Sequence, residues 1–108
     1  MEAAQPFEIE VTKAFEKWFR NLRDRKARAK INIRIRKASL GNLSDSKSVG
    51  GGVSEMRIDY GPGYRVYFTK KDKVIIILLY GGNKKTQSGD IRTAREILED
   101  IRRGQYDN

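Results

Sequence analysis

The hydrophobic period of the chain changes several times, and each change marks an element. Phe7-Glu8-Ile9-Glu10-Val11 alternates strictly between apolar and acidic positions. A period of two predicts a short first strand. Thr12 follows at once and is a good helix cap. Beyond it, Phe15, Trp18, Phe19 and Leu22 recur at i, i+3, i+4 and i+7, the apolar face of a first helix. Asp24 offers a cap for a second helix running toward Leu40, with Gly41 and Asn42 as stop signals. Ala27, Ile31, Ile35 and Ala38 share one helical face there. The middle of the same segment, Ile31-Asn32-Ile33-Arg34-Ile35-Arg36, also alternates with period two, so strand is the competing reading. Length, the Ala-rich start and the short connector favour helix.

Leu43 to Gly52 is polar and glycine-rich, a loop with at most a short strand near Lys47 to Val49. The second half is more regular. Met56, Ile58 and Tyr60 alternate against Glu55, Arg57 and Asp59. After the reversal Gly61-Pro62-Gly63, Val66 and Phe68 alternate against Arg65 and Tyr67. Val74 to Leu79 is apolar throughout and predicts a strand buried on both faces. Lys70-Lys71-Asp72-Lys73 is then a hairpin tip, and the pairs Gly81-Gly82 and Gly50-Gly51-Gly52 read as backbone turns. Ser88 or Asp90 caps a last helix with Ile91, Ala94, Leu98 and Ile101 on its apolar stripe and Ile97 beside them; Gly104 to Asn108 reads as a frayed tail. The expected order is β-α-α-(β)-β-β-β-α, within a single domain over 1–108. The expected class is α+β, an antiparallel sheet packed against two N-terminal helices and a C-terminal helix.

Charge sharpens this outline. The formal net charge is +9. Lys13 to Lys37 holds eleven Lys/Arg and two acids, which leaves twelve charges of each sign elsewhere. The basic character of the chain is therefore that of its N-terminal helices, a common footprint of nucleic-acid binding. The chain has no cysteine and no histidine, which removes thiol chemistry, the usual zinc ligands and the usual general base near neutral pH. The start Met-Glu-Ala-Ala-Gln-Pro lacks a basic and an apolar signal region, and the longest apolar run is too short to span a bilayer. The expectation is a cytoplasmic protein with no membrane partner, no metal and no cofactor.

If Met56, Ile58, Val66 and Phe68 face the helices, Arg57 and Arg65 emerge on the opposite, wetter face. Lys84 and Lys85 follow the apolar strand and fall beside them. Arginine binds phosphate through paired N–H groups and stays charged at any physiological pH. Tyr67, in phase with Arg65, and Tyr80, at the end of the apolar strand, are candidates to stack on bases. Each residue alone is as well explained as ordinary solvated sheet surface; the grouping on one face carries the functional reading.

The residues carrying this reading also form a familiar series. It runs from the Phe-x-x-Trp-Phe helix through Leu22-Arg23-Asp24-Arg25 and Leu40-Gly41-Asn42 to the long segment Val53 to Phe68. It ends in Gly81-Gly82-Asn83-Lys84-Lys85-Thr86-Gln87 with Asp90-Ile91. In this order they resemble HigB/RelE-like toxins of the RelE/ParE toxin–antitoxin superfamily, above all the phage-derived branch labelled addiction module killer protein. The resemblance implies a RelE-like compact domain and makes the second helix a helix. It implies a metal-independent endoribonuclease that cuts ribosome-bound mRNA, with a cognate helix-turn-helix (HigA-like) antitoxin as partner. It assigns catalytic roles to Arg57, Arg65 and Lys84. Tyr67, Tyr80, Lys85, Gln87, Arg28, Lys30 and Arg34 then become RNA-binding candidates. Two positions depart from the pattern. Asp90 stands near the place where better-studied relatives carry Tyr or His, and Glu55 stands where RelE is basic. The alternatives are a ParE-like gyrase inhibitor and a non-catalytic RNA- or ribosome-binding module.

Overall fold

Residues 6–104 are described in the computed structural model of the chain. Met1–Gln5 and 105–108 lie outside them, and with them most of the expected leaderless start and frayed tail. The first alternation forms strand β1, Glu8–Val11. Thr12 caps helix α1, Lys13–Arg20, by accepting from the Phe15 amide at 3.0 Å. Its hydroxyl donates to the Leu79 carbonyl at 2.8 Å, so one buried side chain starts the helix and ties it to the sheet. Asp24 caps helix α2, Arg25–Ser39, through the amides of Lys26 and Ala27. The competing strand loses because Ala27, Ile31 and Ala38, on one helical face, are all fully buried.

Four strands follow: β2 (Ser46–Gly50), β3 (Val53–Ile58), β4 (Tyr64–Lys71) and β5 (Ile75–Asn83). Helix α3 spans Gln87–Arg102 after a 3₁₀ turn at Lys84–Thr86. The sheet order is β1-β5-β4-β3-β2. β2 to β5 are antiparallel neighbours, as expected. β1 lies parallel to β5, pairing Ile9 with Ile76, so the sheet is mixed. A parallel pair needs a long crossover, and the chain between β1 and β5 provides one.

Two apolar layers enclose the sheet. Met56, Ile58, Val66, Phe68, Ile76 and Leu78 face α1 and α2, with Phe15, Ile31 and Ala38. Val53, Tyr67, Ile77 and Leu79 face α3, with Ala94, Ile97 and Leu98. The continuous apolar run thus serves both layers, as its composition predicted. The face expected to be wet is instead covered along part of its length by α3, and Arg65, Glu55 and Tyr67 are buried on it.

The turn chemistry is partly as expected. Gly61 and Gly63 both have positive φ, and the Gly63 amide closes the turn on the Tyr60 carbonyl at 3.1 Å. Gly51-Gly52 is also a turn, with Gly50 closing β2 before it. Gly81-Gly82 is not, because both residues lie inside β5. A Cβ at Gly81 would meet the Trp18 ring at 2.3 Å, and one at Gly82 would meet the Asp90 carboxylate at 1.7 Å. These glycines let α1 and α3 sit directly on the strand.

Candidate functional site

The β3–β4 register sets the site. It places Arg57 directly opposite Arg65. Like charges directly opposite each other in an antiparallel pair destabilise it unless something intervenes. Glu55, two residues before Arg57 on the same face, intervenes. Its side chain is fully buried and its carboxylate reaches both guanidinium groups: Oε1 accepts from Arg57 Nε at 3.3 Å, and Oε2 lies 3.6 Å from Arg65 Nε. Gln87 Nε2, at the start of α3, donates to Oε2 at 2.7 Å.

The two arginines sit differently. The Arg57 side chain is 51% exposed, that of Arg65 only 8%. Arg65 Nη1 also donates to the Gly63 carbonyl at 2.8 Å, which binds it to the glycine turn. The expectation that Arg65 would stand out from the sheet is corrected. Alternation gave the face properly, but α3 covers that face, so the side chain lies along it under partial cover.

Lys84 reaches the same place from β5. Asn83 accepts from the amides of Lys85 and Thr86, at 2.9 and 3.2 Å, while the Thr86 hydroxyl accepts from the Asn83 amide at 3.2 Å. This reciprocal capping box begins a helical turn at once after the strand. It replaces the expected caps Ser88 and Asp90, which fall inside α3. Its effect is to fix the backbone that carries Lys84. Arg57, Arg65, Lys84 and Gln87 then line one open cleft of about 640 Å³, with Gly63 and Tyr64 among its walls. Lys85 is exposed on the same turn but does not line the cleft.

The aromatic expectations fare otherwise. Tyr67 is fully buried against α3 and cannot stack on a base. Sequence phase with Arg65 was sound, but a phenyl ring deeper in the strand falls under the helix. Its hydroxyl is buried without a hydrogen-bond partner. Burial, then the nearby charges of Glu55 and Asp90, push the phenol well above its ordinary range, with Arg65 opposing. Burial also raises the Asp90 carboxyl, opposed by a hydrogen bond from the Thr86 hydroxyl. Tyr80 lines a different cavity, of about 360 Å³, with Lys17 and Trp18 of α1 and its C-cap Asn21. It does not line the cationic cleft.

The basic face of α2 is mixed in use. Arg28 donates to the Leu22 carbonyl, and Arg34 to the carbonyls of Asn42, at 3.2 Å, and Ser44. Both guanidinium groups therefore brace the loops at the ends of α2. Burial lowers the Arg34 pKa from its ordinary value, opposed by Asp45. Lys30 lies 5.4 Å from the centre of the Tyr60 ring. Lys30, Arg34 and Lys37 line a shallow cavity of about 230 Å³ that shares Ile58 and Asp59 with the cleft. The basic side of α2 is thus contiguous with the cleft wall. Among the described residues, no group of three or more His, Cys, Asp or Glu side chains is placed to hold a metal ion.

Glu55 is the residue that sequence reasoning noticed but did not place. The signal was present: an acid two positions from Arg57 shares its face, and the hairpin register brings Arg65 opposite. What the arrangement offers chemically is a cationic cleft, open to solvent, organised around one buried anion. Such a cleft fits a phosphodiester better than a neutral substrate.

Residues 17–103 match the sequence profile of the family described as phage derived protein Gp49-like. An uncharacterized protein of Haemophilus influenzae is 44% identical over 94 residues, covering 87% of this chain and 95% of that relative. Among solved structures, a free-state mutant of the E. coli toxin RelE superposes with a TM-score of 0.60 at 13% identity, covering 84% of this chain and 97% of that one. At that identity the likeness is one of fold.

Proposed function

The chain belongs to the Gp49-like family of phage-derived proteins, and on that premise we propose that it is the toxin of a type II toxin–antitoxin module. Its activity is metal-independent, ribosome-dependent cleavage of mRNA in the cytoplasm, in the manner of HigB-type members of the RelE/ParE superfamily. Its partner is a helix-turn-helix, HigA-like antitoxin. The observation that carries the reading is the meeting of Arg57, Arg65 and Lys84, from three different segments, in one cleft. The RelE-like fold supports it.

In this reading the RNA 2′-hydroxyl attacks the adjacent phosphorus, the 5′-oxygen leaves, and a 2′,3′-cyclic phosphate forms. Negative charge gathers on the phosphoryl oxygens in the transition state. Fixed donors aimed at that charge are worth about 100-fold or more in rate each. Arg57 offers its terminal nitrogens from the exposed rim. Arg65 is held by Glu55 and Gly63 and offers a preset charge at the cleft wall. Lys84 adds a point charge from the turn that follows β5. Asp90 is hydrogen-bonded to Thr86 and does not line the cleft, so it is assigned no role as base. Without a strong base, the reaction relies on the ribosome to hold the scissile bond in an attacking geometry, which is the other large contribution.

The test is primer extension on mRNA in a purified translation system, with and without programmed ribosomes. Cuts are expected only on ribosome-loaded message. Inhibition of gyrase supercoiling with intact mRNA would replace this reading with the ParE-like one. Ribosome binding with neither effect would leave a non-catalytic binding module.

A further inference from the structure

We infer that Glu55 is the positioning residue of the cleft: a buried carboxylate that presets Arg57, Arg65 and Gln87 for one phosphate. The inference rests on the nuclease reading above and deepens it at a residue that does not itself line the cleft. Four observations carry it. Glu55 is fully buried and does not line the cleft, so it does not touch a ligand there. It contacts three of the residues that do, at 3.3 Å (Arg57), 3.6 Å (Arg65) and 2.7 Å (Gln87). Those residues come from β3, β4 and α3, so the one carboxylate ties three elements together at the site. Arg57 Nε donates to it and Arg65 Nε faces it as an ion pair, which leaves the terminal nitrogens of Arg57 and Nη2 of Arg65 for an incoming ligand, Arg65 Nη1 being committed to the Gly63 carbonyl.

Arginine side chains are long and have many rotamers. Two of them directly opposite each other would splay apart. A buried anion between them holds them side by side before any ligand arrives, so less ordering is left for the binding step. Burial also keeps the arriving phosphate from displacing Glu55.

The experiment turns on a difference of sign. Glu55→Gln keeps the shape but removes the negative charge. If Glu55 only dampened the positive field, this variant would bind phosphate more tightly and cleave as fast or faster. As a positioning residue, its loss lowers the single-turnover rate at saturating ribosomes by about 100-fold, the order expected for misplacing a catalytic group by about an ångström. Affinity for the ribosome stays unchanged.

Nitrogen NMR of the Nε–H signals of Arg57 and Arg65 gives a readout independent of cleavage. Both signals are expected to shift together in the wild-type protein on titration with inorganic phosphate, and to lose that concerted response in Glu55→Gln. Should Glu55→Gln fail to fold, Gln87→Ala loosens the same carboxylate from the rim of the cleft and is expected to move both signals and slow cleavage. A folded Glu55→Gln that cleaves at the wild-type rate, or whose Nε signals still respond in concert, overturns the inference. Wild-type protein that cleaves nothing defeats the nuclease reading instead, and the NMR titration then decides on Glu55 alone.

Discussion

Three side chains of the cleft share a charge but not an environment, and that separates what their removal does. Arg57 is half exposed and Lys84 is exposed. Lys84→Ala is expected to change stability by no more than about 0.5 kcal/mol, as for most surface substitutions, whereas Arg57→Ala is expected to cost about 1–3 kcal/mol, because it takes a hydrogen-bond partner from buried Glu55. Each is expected to slow cleavage on programmed ribosomes by about 100-fold. Single-turnover kinetics with a thermal melt of each variant checks both numbers. Arg65 is different. Removing it takes from buried Glu55 one of its two cationic partners, and breaking a buried pair by losing one partner costs about 3–5 kcal/mol. The lower end is expected, because Arg57 and Gln87 still hold the carboxylate. A urea titration measures it. Loss of toxicity in Arg65→Ala is therefore interpretable only beside that stability. Arg65→Lys is expected to retain more of the fold while losing most of the activity, since an ammonium cannot satisfy Glu55 and Gly63 together as the guanidinium fork does.

At the scale of elements, two short segments decide where the charges stand. The capping box at Asn83 lets a helical turn begin directly on the end of β5. Asn83→Ala is expected to cost about 1 kcal/mol, the usual worth of a cap. It is also expected to slow cleavage, because the freed backbone is that of Lys84. Restored kinetics in Asn83→Asp, a side chain that also caps, would tie the two effects to one cause. Helix α2 is the other segment. Lys30, Arg36 and Lys37 are exposed along it, whereas Arg28 and Arg34 bond to loop carbonyls. Neutralising phosphates gives a log–log salt slope of about −0.7 to −0.9 per contact. Replacing Lys30, Arg36 and Lys37 together with Gln is expected to flatten the salt dependence of ribosome binding. Arg28→Gln and Arg34→Gln are expected to lower the melting temperature instead. A slope unchanged in the triple variant would make α2 a solubilising surface.

At the scale of the whole molecule, the two faces of the sheet have divided the work. α1 and α2 cover one face, and α3 covers the other only as far as the cleft. The glycine turn, the ends of β3 and β4, and the start of α3 are left to form an open cationic rim. Purified protein is expected to cleave mRNA loaded on ribosomes and to be feeble on free RNA. A helix-turn-helix antitoxin is expected to suppress cleavage in the same assay and to compete with a short RNA for the rim. Suppression without such competition would place the antitoxin elsewhere on the surface.

The sequence by itself determined the elements and the identity of the cations. Period-two and period-3.6 patterns are local properties, so β1, both N-terminal helices, the Gly61-Pro62-Gly63 hairpin and the doubly buried β5 could be read from residue order. So could Arg57, Arg65 and Lys84, because alternation and turn position are enough to group them. Only the tertiary structure decided what lay over them. Alternation tells which face a side chain takes but not whether a helix covers that face, and this is why Tyr67 and Arg65 were expected in water and are buried. It cannot give the partner of a parallel edge strand, since β1 meets β5 only after the intervening chain has folded. It marked Gly81-Gly82 as a turn because local rules know glycine's freedom, not the Trp18 ring and Asp90 carboxylate that need the space. Glu55 drew its role from the same source. An acid in a strand is ordinary until register, neighbouring strand and covering helix bring two guanidinium groups and an amide to its oxygens.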